Sequence, residues 1–357
     1  MERFSRKTRA TVRSWLVITI VSGLVGIAYV HLLSLALEFE MRPGMWFTEG
    51  ATYGTVIGGT WTAFLFALRD SRLDRAIRRL SFTAAWLVRS LMNSAIIAAS
   101  LLFCRVVFSP YMLDDPDFVS AFLRDAGVGV AMFMIIMFVL QVRTLIGGRV
   151  LTNFLVGRYS KPVREERVFL FLDLAESTAM AQDLGDVETH ALISRFFFDV
   201  DRVTVEHGAE THRYIGDEVV VSWPLDQAVR DATCLRCVFA VADMVAARAD
   251  RYRKRFGRVP AFRVGLHGGP VVAGECGSSK QEIVYIGDTI NTTARLEAEA
   301  KEMGVPFLVS DSLLARMALP DGYAVRHLGA LTLRGRKEPL AVATVLRDGP
   351  SGGLAAA

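Results

Sequence analysis

Thr211–Pro224 reads THRYIGDEVVVSWP, the pattern of a β-hairpin. Thr211, Arg213 and Ile215 open one strand, Gly216-Asp217 forms the turn, and Val219, Val220, Val221 and Trp223 carry the return. A Gly-Asp tip between β-branched runs is a turn signal with a mechanism: glycine supplies the backbone freedom and aspartate bonds locally. Turn chemistry alone accounts for Asp217, so any further role needs a partner. Arg167–Thr178, RVFLFLDLAEST, supplies one. Val168 to Leu172 form an apolar run of strand length that ends in Asp173. Ala175-Glu176-Ser177-Thr178 then starts a helix, with Ser177 or Thr178 as its cap. A carboxylate at a strand end, beside helix-start N–H groups, suits a hard cation and a phosphate. Two such acids together suit two cations, as in two-metal phosphoryl chemistry.

A third segment follows at Ile283–Glu297, IVYIGDTINTTARLE. FLFLDLAEST, RYIGDEVV and IVYIGDTINTTARLE, in this order and spacing, resemble the class III nucleotidyl cyclases, which make cyclic AMP or cyclic GMP. The resemblance runs from Glu165 to Leu346. It implies an α+β class III cyclase domain at 165–347 with a ferredoxin-like βαββαβ core. It also implies that Asp173 and Asp217 bind two divalent cations, Mg²⁺ or Mn²⁺, with the Leu174 carbonyl as a third ligand. Ala175, Glu176, Ser177 and Thr178 then meet the phosphates. Asn291 orients the ribose and Arg295 stabilises charge on the transferring phosphate; their i, i+4 spacing puts both on one helix face, with Asp288 one turn before. Arg334, in LTLRGRKEPL, falls where the family has a basic residue on the triphosphate. In the family this helix faces the other protomer's metals, so the resemblance implies a homodimer.

Two positions depart from the family. The base-contacting residues are Arg213 and Val284 by spacing. Adenylate enzymes usually pair Lys with Asp or Thr there, and guanylate enzymes use Glu and Cys. Valine makes no polar contact, and the missing Glu–Cys pair favours ATP. Glu176 stands where many members have glycine in the phosphate loop. The reading is an adenylate cyclase that converts ATP to 3',5'-cyclic AMP and pyrophosphate. Alternatives are a guanylate or relaxed-specificity cyclase, and a degenerate cyclase-domain sensor. RYIGDEVV also echoes the diguanylate cyclase signature, but Ile215 replaces the first glycine and GDTINTTAR is foreign to that family.

Composition points to a membrane portion beside a globular one: 357 residues are 52% hydrophobic, with a net charge of +4 and a mean hydropathy of +0.33. Four apolar stretches are expected to span as helices, Trp15–Leu37, Gly50–Leu68, Trp86–Phe108 and Phe118–Val142, making residues 1–142 a four-helix transmembrane domain. The first is too long for a signal peptide. Basic residues (Arg3, Arg6, Lys7, Arg9 and Arg13; Arg69 to Arg79; Arg143 to Lys161) alternate with acidic loops (Glu38, Glu40 and Glu49; Asp114, Asp115 and Asp117). The positive-inside rule then puts both termini in the cytoplasm and the chain in the inner or plasma membrane. The arginine loop reads as a lipid-headgroup face, not a nucleic-acid site. Among polar residues inside the spans, Arg89 and Arg105 read as snorkelling from span ends, beside Asn93. His31 is a buried hydrogen-bonded residue or, paired across a dimer, a haem or ligand site. What the membrane half senses is not legible; a transporter role finds no substrate motif.

Residues 143–164 read as a helical signalling linker weakened at Gly147-Gly148, and residues 348–357 as a disordered tail. The 4 cysteines are too few for a disulfide framework, and Cys234-x-x-Cys237 has no second pair for zinc. Further along, helices are expected over Ser177–Leu184, Val187–Glu206 and Asp226–Phe256, the last capped by Asp226. Strands are expected at Phe262–His267, Glu282–Ile286, near Phe307, and at Tyr323–His327, Leu331–Leu333 and Ala341–Val345, with Gly268-Gly269-Pro270 as a turn.

Overall fold

The structure is a computed structural model and describes residues 6–36, 44–68, 71–77, 80–108, 116–146, 152–153, 156–279, 281–336 and 338–347. The expectations for Gly147-Gly148, Val150, Leu151, Phe154 and Leu155, for Arg69, Arg78 and Arg79, for Glu38, Glu40, Asp114 and Asp115, and for the tail lie outside the described residues. The chain divides into two compact units, Met1–Ile146 and Gly147–Ala357.

The first unit holds α1 (Arg6–Ala36), α2 (Met45–Leu68), the short α3 (Arg72–Ile77), α4 (Phe82–Phe108) and α5 (Phe118–Ile146). Among the described residues three helices are long and apolar enough to cross a membrane: Trp15–Ala36, Phe82–Phe108 and Phe118–Val142. The expected count of four is corrected to three. Helix α2 forms over Met45–Leu68, and glycines and threonines stand along it (Gly50, Gly54, Gly58 and Gly59; Thr52, Thr55, Thr60 and Thr62). Those glycines serve packing. A Cβ on Gly26 of α1 would lie 2.2 Å from the Gly50 carbonyl oxygen, and one on Gly54 would lie 2.2 Å from that of Ser22. The two backbones touch, as small residues permit, and Trp15 Nε1 donates to the Gly59 carbonyl at 3.0 Å. Elsewhere Leu24, Leu91 and Ile135 turn more than half of their surface outward.

Arg105 does not snorkel. It is 4% exposed and donates to Asp125 of α5 at 2.5 Å, and Tyr29 of α1 donates to the same carboxylate at 3.1 Å. The rings of Phe118 and Phe122 lie 5.5 and 5.8 Å from its guanidinium. Arg89 pairs with Asp74 at 3.3 Å, and Asn93 accepts from Trp61 Nε1 at 2.8 Å. His31 lies exposed on α1 rather than buried.

The second unit is a mixed eight-stranded sheet with helices. Its elements are β1 (Val163–Leu174), α6 (Ser177–Leu184), α7 (Asp186–Glu206), β2 (Glu210–Ile215), β3 (Glu218–Pro224), α8 (Leu225–Val229), α9 (Thr233–Ala247) and α10 (Ala249–Phe256). There follow β4 (Phe262–Cys276), β5 (Glu282–Ile286), α11 (Asp288–Glu302), β6 (Phe307–Ser310), α12 (Asp311–Leu314), β7 (Tyr323–Leu331) and β8 (Leu340–Arg347). The strand order is β2-β3-β1-β4-β6-β8-β7, with β5 also on β4. All pairings are antiparallel except β4 with β6.

The apolar run of β1 is continuous because the strand is buried on both faces. Val168, Leu170, Leu172 and Leu174 enter a core with Leu192 and Phe196 of α7 and Leu235 and Phe239 of α9. Phe169 and Phe171 point the other way, into a core with Tyr285 that Ile290 and Ala294 of α11 cover. Trp223 is fully buried, with Nε1 donating to the His207 carbonyl at 3.0 Å.

Three local expectations change. Asp226 lies within the first turn of α8, and the single helix expected to Phe256 is broken at Asp231 (φ 52°) and Ala232 (φ 48°). Gly268-Gly269-Pro270 is no turn: β4 runs straight through it, and a Cβ on Gly269 would meet Thr289 Oγ1 at 2.8 Å. The strand near Leu331–Leu333 is the end of β7.

Candidate functional site

The hairpin tip and the end of β1 come together as the sequence suggests. Asp173 pairs in register with Glu218, and the Leu174 N–H donates to the Asp217 carbonyl at 3.2 Å. The turn has its glycine where φ is positive, at Gly216 (61°). Burial, then the charges of Asp217 and Glu297, push the Asp173 carboxyl up to about 7. Burial, then Glu297, Asp173 and Asp217, push Glu218 up to about 7 as well. Burial also raises Glu297, against Arg263 and Lys301. These acids crowd one another with too little positive charge to match, the state that a divalent cation relieves. Among the described residues no three His, Cys, Asp or Glu side chains form a ready metal cage. Asp173, Asp217 and the Leu174 carbonyl offer hard oxygen donors, which fit Mg²⁺ or Mn²⁺.

The segment expected to meet the phosphates is capped differently from the expectation. The cap of α6 is Glu176, in the left-handed region at φ 61°, with no side-chain cap bond; Ser177 and Thr178 lie inside the helix. The Ala175 N–H donates to the Ala261 carbonyl at 2.9 Å and so is engaged within the protein. The first-turn N–H groups of α6 remain as anion donors, as at any helix start.

Helix α11 lies close on β4 because Gly265 carries no side chain: a Cβ there would sit 2.6 Å from the Glu297 nitrogen and 2.7 Å from the Thr293 carbonyl oxygen. Thr289 Oγ1 donates to the Pro270 carbonyl at 2.8 Å. Asn291 is exposed and Arg295 half-buried. A Cβ on Gly335 would stand 3.4 Å from the Arg295 guanidinium. Arg336 reaches Asp288 at 3.8 Å and Thr292 Oγ1 at 3.5 Å. Exposed Arg334 belongs to the same loop. Asp288, Asn291, Arg295 and the Arg334 loop therefore share one side of α11. Glu297, two positions and ~200° further round, interacts instead with Asp173, Asp217 and Glu218. Within the chain the structure brings Asp173 to Asp217, and Arg295 is not among the charges that act on Asp173.

At the positions expected to contact the base, Arg213 forms an ion pair with Glu282 of β5. Val284 is half-buried two residues along the same strand, opposite Gly274. Period-two alternation puts Glu282 and Val284 on one face. Sequence reasoning missed Glu218, Glu282 and Glu297. Glu218 and Glu297 sit one and two positions from residues already singled out, and adjacency was their only signal. The thiols of Cys234 and Cys237 are buried, and burial pushes Cys234 up to about 12, as for inert core cysteines.

Comparison with known proteins places this architecture. The profile described as Adenylate and Guanylate cyclase catalytic domain matches residues 160–344. The chain belongs to that family. Adenylate cyclase 2 of Rhizobium meliloti is 43% identical over 217 residues, covering 61% of this chain and 60% of that protein. Adenylate cyclase 1 of the same organism is 28% identical over 189 residues, covering 51% of this chain and 28% of that protein. The chain thus spans less than two thirds of either relative. The solved structure of a bacterial light-regulated adenylyl cyclase superposes with a TM-score of 0.52 at 20% identity, over 65% of this chain and 66% of that one, a likeness of fold.

Proposed function

We propose that the chain is a membrane-associated adenylate cyclase that converts ATP to 3',5'-cyclic AMP and pyrophosphate in a homodimer. The observation that carries the reading is the meeting of Asp173 and Asp217 at the end of β1. The βαββαβ order, with strands β2-β3-β1-β4 antiparallel, is read as the ferredoxin-like core.

Asp173, Asp217 and the Leu174 carbonyl would hold two divalent cations, whose chemistry is to acidify the ribose 3'-hydroxyl and offset phosphate charge. The first-turn N–H groups of α6, at Ser177 and Thr178, receive phosphate oxygens. Asn291 holds the ribose so that the 3'-oxygen faces the α-phosphorus. Arg295 donates to the phosphate oxygens as charge builds, a preorganised donor that needs no rearrangement. Arg334 draws the triphosphate tail, and Asp288 keeps the loop in place through Arg336. Because Arg295 and Asn291 turn away from their own protomer's carboxylates, each site joins the acids of one protomer to the α11 of the other. Arg213 meets the base. Selection of ATP rests on the adenylate cyclase relatives, since Val284 supplies no polar contact. The catalytic unit faces the cytoplasm, where nucleotide is found, and the membrane unit regulates it in response to a ligand.

The test uses the full-length protein in membranes with Mn²⁺ and either ATP or GTP, with the cyclic product identified by mass spectrometry. Cyclic AMP from the wild type and none from Asp217→Asn is the expected result. Cyclic GMP alone overturns the substrate, and no product from either nucleotide overturns the activity.

A further inference from the structure

Glu297 has no part in the reaction as described. Its residue is 8% exposed, and its Oε1 is enclosed without a hydrogen-bond partner. The contact of its backbone with Gly265 fixes its place on α11. The charges that act on it or feel it belong to three elements besides its own: Asp173 on β1, Glu218 with Asp217 at the hairpin tip, and Arg263 on β4; Lys301 is one turn along α11. Neither cation brings a hydrogen bond to Oε1. Buried carboxylate oxygens are seldom left so, and where they are, a water, an ion or a catalytic task accounts for them.

We propose that Glu297 is a third acidic group of the divalent-cation site, acting through cation-bound water from the same protomer, and that it sets the affinity of that site. The inference rests on the reading of Asp173 and Asp217 as cation ligands. Among the described residues Asp173, Asp217 and Glu297 do not make a three-acid cage, so the proposal gives Glu297 the outer position. Outer groups of this kind tune metal affinity by about tenfold or more. Helix α11 then serves two sites, Glu297 inward to its own protomer's cations and Arg295 outward to its partner's.

The test measures Mn²⁺ binding to the full-length protein without nucleotide, by the electron paramagnetic resonance signal of the free ion. Asp217→Asn is expected to abolish binding, and Glu297→Gln to weaken it about tenfold without lowering the metal-free melting temperature. Glu297→Asp, which keeps the charge on a shorter arm, is expected to fall between wild type and Glu297→Gln. Loss of binding in Asp217→Asn with wild-type affinity in Glu297→Gln overturns the role of Glu297 and leaves the cation site standing. Wild-type affinity in both variants overturns the cation site itself. If Glu297→Gln does not fold, wild-type affinity in Glu297→Asp overturns the proposal.

Discussion

Glu176 shows what a single backbone position can hold. It takes φ 61° at the start of α6, a conformation that costs an L-residue about 1–2 kcal/mol. That gives a physical reason to expect glycine at this place. Glu176→Gly is expected to remove strain and a negative charge from the phosphate loop. Part of the gain is lost to the freer unfolded chain, so stability should rise by only ~1 kcal/mol, read from thermal unfolding, and the KM for nucleotide should fall. Asp173 and Asp217 were legible in the sequence because a strand end and a turn tip have local signatures. Glu176 in a left-handed cap was not, since Ser177 and Thr178 are the better cap formers by composition, yet the helix takes both inside. Val284→Asp should add a second acid on the β5 face that carries Glu282, the partner of Arg213, and sharpen preference for ATP over GTP, measured as the ratio of kcat/KM values.

At the scale of elements, α11 depends on the bare surface of β4. Gly265→Ala places a methyl 2.6 Å from the Glu297 nitrogen. The helix must move, at a cost of ~1–3 kcal/mol. Activity should fall more steeply than stability, because the same helix positions Asn291 and Arg295; kcat beside the melting temperature separates the two effects. The β1 run, the hairpin and α11 were readable because their patterns are local. The unbroken β4 was not: Gly268-Gly269-Pro270 has the composition of a turn, and its real cause is the closeness of Thr289 and α11. Helix α2 was misjudged for a related reason, its glycines being there to meet α1.

For the molecule as a whole, the crowded acids link stability to pH. Asp173 and Glu218 titrate near 7 in the folded chain and near their ordinary values when unfolded. A raised carboxyl favours folding below the unfolded pKa, and that contribution is lost as pH climbs to the folded one. The metal-free protein should therefore melt at lower temperature at pH ~8 than at pH ~5, and Mn²⁺ should restore more at the higher pH. Melting curves at both pH values, with and without the ion, check this. The two-sided α11 predicts complementation: Asp173→Asn and Arg295→Ala chains, each inactive, should together recover about a quarter of wild-type activity when pairing is random. The membrane unit has its own consequence, which concerns how the protein is made. Arg105 and Asp125 neutralise each other between α4 and α5, yet each helix leaves the ribosome with its charge unmatched, which lipid penalises. The pair is thus a reason for the translocon to release α4 only when α5 has arrived. A nascent chain ending at Phe108 should stay at the insertion channel, and one ending at Ile146 should pass into the bilayer as a finished hairpin.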